Sequence, residues 1–323
     1  MAHNTSSFLV IGAGISGLLI ARCLHDAGRR VRVLEKGRGC GGRMATRRGE
    51  NTRFDHGAQY FTVRDPRLQR WNQAWLARGV VRQWFERLRP DEETEGHPRY
   101  IGARGISDIP KSLAEGLDLR TSSRAVRLDR TDDAWTVHID DGGIHQADHL
   151  ILTAPIPQAL ELLGEKSSEW CGEARRALRA IGYAKSLAVM ALLDGPSGIP
   201  NQGALKAEAA PLTWLGDNQQ KGISERPAIT LHSDADWAEQ HWESPDEASV
   251  PPLLAAARPF LRSRIVSWES HRWGFAFPHT TFGQPFFYNS ACRLLLAGDG
   301  FGGPRIEGAA LSGLEAGNFL LEQ

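Results

Sequence analysis

The chain has little sulfur and no excess of charge of either sign. Its four cysteines, Cys23, Cys40, Cys171 and Cys292, are scattered among 323 residues. None falls at C-x-x-C spacing, which argues against a zinc site and against a disulfide framework and fits a reducing cytoplasm. Lysine plus arginine (38) balances aspartate plus glutamate (38), and no basic block is long enough to read as a nucleic-acid patch. No apolar run reaches the length that spans a bilayer. The opening Met1-Ala2-His3-Asn4-Thr5-Ser6-Ser7 lacks the basic start of a secretory signal. Nucleic acid and membrane are therefore not expected as partners, no metal is expected, and a cytoplasmic location is. There is no internal repeat and no low-complexity tract, and nothing reads as a separate nicotinamide domain with its own dinucleotide motif.

A G-x-G-x-x-G near the start, Gly12-Ala13-Gly14-Ile15-Ser16-Gly17, is set between an apolar run, Phe8-Leu9-Val10-Ile11, and a helical pattern from Leu18 to Leu24. Strand, turn and helix in that order are the context in which the motif binds a dinucleotide. Residues without Cβ atoms let the backbone approach a pyrophosphate, whose charge sits on the helix N-terminus. A second strand, Val31-Arg32-Val33-Leu34, ends in Glu35, where the fingerprint places a carboxylate for ribose hydroxyls. An acid there repels a 2′-phosphate, so FAD or NAD fits better than NADP. The following Lys36-Gly37-Arg38-Gly39-Cys40-Gly41-Gly42-Arg43-Met44 is a glycine-rich turn with fixed cations that a simple NAD site does not require, and Arg43 offers forked donors to a diphosphate. Near the other end, Arg293 to Ala297 reads as a buried strand and Gly298 as a close approach to a ligand. Asp299 is an acceptor for ribityl or ribose hydroxyls. A terminal helix begins near Glu307-Gly308-Ala309 and directs its positive end at the cofactor. Three separated motifs of this kind point to FAD.

These segments, together with Phe54-Asp55-His56-Gly57-Ala58-Gln59-Tyr60-Phe61-Thr62, resemble the renalase-like FAD-dependent oxidoreductases, relatives of the flavin amine oxidases. His56 departs from the pattern, which has an apolar residue there. Weaker similarity runs through Pro211 to Leu215, Leu231-His232 with Trp237, and His271-Arg272-Trp273. The resemblance implies cofactor contacts from Gln59, Tyr60, Phe61 and Thr153, and from Val126 at adenine. It also implies oxidation of dihydronicotinamide isomers of NAD(P)H, carrying the extra hydrogen at the 2 or 6 position, with electrons passed to O2 as hydrogen peroxide.

Motifs at opposite ends require a discontinuous cofactor domain. The expected fold is α/β: a Rossmann-like FAD-binding domain over 1–63, 102–160 and 286–323, and an inserted α+β substrate domain on an antiparallel sheet over 64–101 and 161–285. Val126, Ala134 to Ile139 and His149 to Pro155 read as a meander turning at Asp140-Asp141-Gly142-Gly143 and returning to the parallel sheet. Residues 64 to 101 read as helical, with Trp71, Trp75 and Trp84 sharing a face. Ser168 to Ala180 reads as helix, Ser186 to Leu193 and Ala228 to His232 as strands, and Asp91 to Pro98 as a surface turn. Cys292 is expected on the strand ahead of Gly298, unsuited to a covalent flavin link, so FAD is expected to be non-covalent. Candidate substrate-pocket residues are Tyr60, Trp214, His232, His271, Arg272 and Trp273, although tryptophans on such elements are commonly core and each histidine has an ordinary structural reading. Hydride loss from a dihydropyridine leaves an aromatic cation and demands no base, whereas alcohol oxidation does. An amine oxidase or desaturase, or a flavin-binding redox sensor without turnover, fits the same motifs.

Overall fold

A computed structural model describes residues 6–87, 96–131 and 133–323. They divide into two compact units. The first comprises residues 1–42, 110–182 and 278–323, and the second 43–109 and 183–277.

The first unit is built on a six-stranded sheet in the order Phe286–Asn289, Leu294–Ala297, His149–Leu152, Ser7–Ile11, Arg30–Leu34, Asp118–Arg120. All neighbouring pairs are parallel except the first, which is an antiparallel hairpin. Val10 and Val33 and Leu150 to Leu152 are buried, as strands covered on both faces must be. The meander forms as expected over Ala125–Arg130, Trp135–Ile139 and Ile144–Ala147. Gly142 takes the positive φ of +90° at its turn. The first helix, Ile15–Asp26, packs along the C-terminal helix, Ile306–Leu321. Their close approach depends on Gly313, where a Cβ would lie 2.5 Å from the Ser16 carbonyl oxygen.

Two local expectations are corrected in this unit. The helix read over Ser168 to Ala180 is two short helices, Ser167–Cys171 and Ala174–Arg179, because Gly172 adopts φ +53° and ends the first. Cys292 lies in the turn between the last two strands rather than on one. It is buried, and burial pushes its thiol up.

The second unit carries a five-stranded sheet ordered Ala204–Lys206, Leu212–Asp217, Ala228–Ser233, Tyr183–Leu193, Ile265–Pro278. Its core is Leu187, Val189, Ala191, Leu215, Ile229 and Leu231 against Val250 and Leu253 of the helix Asp246–Ala257. The tryptophan-rich segment is helical only over Pro66–Ala77, with Asp65 accepting from the Arg67 amide as its cap. Gly79 at φ +67° stops the helix. The chain then pairs as Val81–Phe85 with Arg99–Gly102, which puts Trp84 on a strand. Most of the acidic stretch from Asp91 lies outside the described residues, which resume at Gly96. Among the described residues no helix is long and apolar enough to cross a membrane.

Candidate cofactor and substrate sites

In the first unit the strand Ser7–Ile11 delivers the chain into Gly12, at φ +109°, whose amide donates to the Leu34 carbonyl at 2.8 Å. The turn has no room for side chains. A Cβ on Gly17 would lie 2.1 Å from the Gly12 oxygen and 2.7 Å from Thr153 Oγ1, and that hydroxyl donates to the carbonyls of Ile11 and Gly12 at 3.1 Å. Thr153 thus shapes the turn from the return strand. Beside Gly14 the space is open. Gly14 caps the first helix without a side-chain hydrogen bond, and the first turn holds no acid. Ser16 Oγ is buried without a partner among the described residues. An uncapped helix start, an open glycine and an orphaned hydroxyl are features that suit a diphosphate.

Glu35 is buried, and its two carboxylate oxygens accept from the amides of Ala13 at 2.9 Å and Gly37 at 2.7 Å. It therefore fixes the glycine turn to the following loop. A carboxylate oxygen with one such bond keeps a lone pair for a ribose hydroxyl. The same loop is tied down by Gly41, whose amide donates to the Ala13 carbonyl, and Gly42 comes beside Gly14. Lys36 Nζ donates to Gln158. Val126 is 51 % exposed on its strand, an apolar surface suited to an adenine face. At the C-terminal motif Gly298 takes φ +136° and its amide donates to Ser312 Oγ at 2.8 Å. Asp299 is buried at the start of the short helix Asp299–Gly302. The terminal helix begins without a side-chain cap, with Glu307 in its first turn and Gly308 packed so tightly that a Cβ there would lie 2.4 Å from the Gly302 oxygen. The Ala309 amide donates to Arg305. The donor set of this unit suits FAD.

Arg43, Met44, Gln59, Tyr60 and Phe61 belong to the second unit. Arg43 Nη1 donates to the carbonyls of Phe275 at 3.1 Å and Ala276 at 3.4 Å, and its guanidinium lies over the Tyr183 ring. Met44 is buried. Phe61 exchanges backbone hydrogen bonds with Tyr100 and packs on Trp75. Gln59 Nε2 donates to the Asp55 and Gly57 carbonyls, which leaves its Oε1 buried without a partner among the described residues.

The pocket candidates separate into two groups. Tyr60 and Trp214 meet at a ring separation of 5.6 Å, Phe85 meets Tyr60 edge-on at 6.0 Å, and Trp214 Nε1 is buried without a partner among the described residues. The second group centres on His56. Its ring stacks on Trp273 at 5.3 Å and meets His271 edge-on at 4.9 Å. Its carbonyl accepts from Trp273 Nε1 at 2.8 Å and His232 Nε2 at 3.1 Å. His232 is thus engaged by the backbone. Burial, reinforced by His271, Arg47 and His232, pulls the His56 imidazole down to about 3. Burial does the same to His232, to about 4, and His271 is lowered as well. All three are neutral at physiological pH. Arg272 does not join them. One residue out of step on its strand, it pairs with Asp246 at 2.5 Å and donates to the Ser244 carbonyl.

Sequence reasoning missed Lys221. It is wholly buried, and its Nζ pairs at 2.7 Å with Asp55, equally buried. The other Asp55 oxygen accepts from Thr46 Oγ1 and the Ile106 amide. Burial pulls the Lys221 ammonium down and Asp55 opposes that. The pair fixes the residue that precedes His56. Nothing near Lys221 in sequence announces a partner 166 residues away. Among the described residues no group of three or more His, Cys, Asp or Glu side chains is arranged so that it could hold a metal ion.

Residues 10–75 match the NAD(P)-binding Rossmann-like domain, and residues 69–318 match the flavin containing amine oxidoreductase family. Renalase of Mus musculus is 25% identical over 291 residues, covering 84% of this chain and 85% of renalase. Amine oxidase [flavin-containing] B of Mus musculus is 41% identical over 68 residues, 21% of this chain and 13% of that protein. Among solved structures, a putative protoporphyrinogen oxidase from Exiguobacterium sp. 255-15 superposes with a TM-score of 0.74 at 13% identity, over 99% of this chain and 100% of that one. Putrescine oxidase bound to putrescine superposes with a TM-score of 0.72 at 13% identity, over 98% and 99% of the two chains. The chain belongs to the flavin containing amine oxidoreductase family, as a renalase-like, FAD-dependent oxidoreductase.

Proposed function

We propose that this protein oxidises 2- or 6-dihydronicotinamide isomers of NAD(P)H, with O2 as the final acceptor and the cytoplasm as its location. FAD is held without a covalent bond, principally by Gly12 to Gly17, Glu35 and Gly298-Asp299, and the second unit supplies the substrate residues. Bound FAD provides the hydride acceptor and the route of electrons to oxygen, which yields hydrogen peroxide.

The observation that carries the reading is the His56, His271 and Trp273 group, flat and uncharged. A dihydropyridine that loses a hydride becomes an aromatic cation and releases no proton. The protein has to align the ring and exclude water, and an ionised base adds nothing. Imidazoles held neutral by burial supply surface for such a ring and set no positive charge against the cation that forms. The likeness to renalase over most of the chain supports the same reading. A second reading, amine oxidation, is favoured by the tilted Tyr60 and Trp214 rings, which resemble walls for a neutral amine.

The test is oxygen consumption with peroxide detection across a donor panel. Peroxide formed in equal amount to a 2- or 6-dihydronicotinamide consumed, with NADH inert, is the expected result. Turnover of simple amines in its place would overturn the assignment.

A further inference from the structure

Arg272 is committed to Asp246, and a different cation meets the other row of the strand that carries it. On the strand Ile265–Pro278 alternate residues face opposite ways, and the contacts divide accordingly. Ser270 and Arg272 both bond to Asp246. Glu269, His271 and Trp273 form the other row: His56 packs against His271 and Trp273, and Arg47 reaches the same row at Glu269, with Nη1 3.8 Å from Oε2. Arg47 stands on the hairpin strand Thr46–Gly49, opposite Phe54, two residues ahead of His56 on the partner strand.

We propose that Arg47 binds the phosphates of the substrate and that Glu269 holds its guanidinium until a phosphate displaces it. This rests on the reading of the substrate as a dihydronicotinamide dinucleotide. The pair is long and its side chains are 44% and 70% exposed, so it is weak and easily exchanged. A phosphate offers a guanidinium forked, charge-assisted bonds that the distant carboxylate does not make. Next to the cation lies a half-buried surface of imidazole and indole suited to a flat heterocycle, and the orphaned His56 Nδ1 is buried within it. Arg47 also depresses both His56 and His271, as a cation facing that surface does. A heterocycle joined to phosphate matches this row of ring surface ending in a cation.

Two variants and two ligand pairs test the proposal. Affinities are taken from anaerobic flavin reduction by 6-dihydronicotinamide adenine dinucleotide and by its phosphate-free riboside. They are taken also from calorimetric binding of NAD+ and nicotinamide riboside, which needs no turnover. In Arg47→Gln the preference for dinucleotide over riboside should fall about tenfold or more, the scale of hydrogen bonds to a charged group. In Glu269→Gln it should rise up to about fivefold, because the competing carboxylate is gone. FAD content should match wild type in both, which separates substrate phosphate from cofactor phosphate. Opposite shifts support the proposal, since a merely structural ion pair would move both variants the same way. Equal shifts in both, no shift, or loss of FAD in Arg47→Gln overturn it. If the wild type neither binds nor is reduced by any of these nicotinamides, the proposed substrate class has failed, and this subsite fails with it.

Discussion

Acid should unfold this protein through its buried histidines, and His56→Phe isolates one of them. The folded His56 titrates at about 3 and His232 at about 4, against an ordinary 6.5. Both are lowered, so the unfolded chain binds more protons than the folded one below the ordinary value. The stability contributed by neutral burial is therefore complete above about pH 6.5 and is lost as pH falls toward the folded values. Between about pH 7.5 and about pH 5.5, linkage gives a loss of about 1.4 kcal/mol for each such histidine. Because pH 5.5 lies above both folded values, the unfolded value alone sets that loss. Phenylalanine keeps a ring against Trp273 and removes the titration. Urea unfolding of the FAD-saturated protein at the two pH values should therefore show His56→Phe losing about 1.4 kcal/mol less than wild type. Equal losses would refute the reasoning, since they would mean that the folded protein protonates His56 as readily as the unfolded chain does.

Lys221→Met leaves the buried Asp55 carboxyl without its countercharge, and should cost about 3–5 kcal/mol in urea unfolding. The double variant with Asp55→Asn should recover much of that, and a failure to recover would show that Lys221 acts through more than its partner. Glu35→Gln replaces a carboxylate that two backbone amides share and should weaken FAD binding by about 1–3 kcal/mol in fluorescence titration. Unchanged affinity would remove Glu35 from the cofactor site. Gly313→Val drives a Cβ into the Ser16 backbone and should lower the thermal midpoint and the retained FAD together, by several kcal/mol in stability.

Local signals explain what the sequence made legible. The glycine turn, the strand that ends before Glu35 and the meander turn at Gly142 each depend on neighbours within a few residues, and each appears in the structure where it is expected. The first strand and the terminal helix were equally readable, because burial on both faces and a helical apolar repeat are written in consecutive residues. Glycines at Gly79 and Gly172 broke two predicted helices, since a positive φ at one residue overrides the periodicity around it. Arg272 looked like a substrate ligand beside His271 and Trp273, yet strand alternation turns it toward Asp246. Arg47 lies far from those residues in sequence, and only the hairpin pairing of Arg47 with Phe54 brings it to their row. The Asp55 and Lys221 pair was hidden for the same reason, because it joins distant segments whose individual patterns are those of ordinary polar residues.

The most direct test of the account is stopped-flow bleaching of bound flavin, without oxygen, by a 6-dihydronicotinamide dinucleotide, by NADH and by simple amines across neutral pH. The account predicts rapid bleaching by the misplaced hydride and slow bleaching by NADH, because only one hydride position faces the acceptor when the ring is held in one orientation. It also predicts a rate that hardly changes with pH, because no proton has to leave first. Fast bleaching by amines at a rate that climbs with pH as the ammonium deprotonates, with none by the dihydronicotinamide, would contradict it.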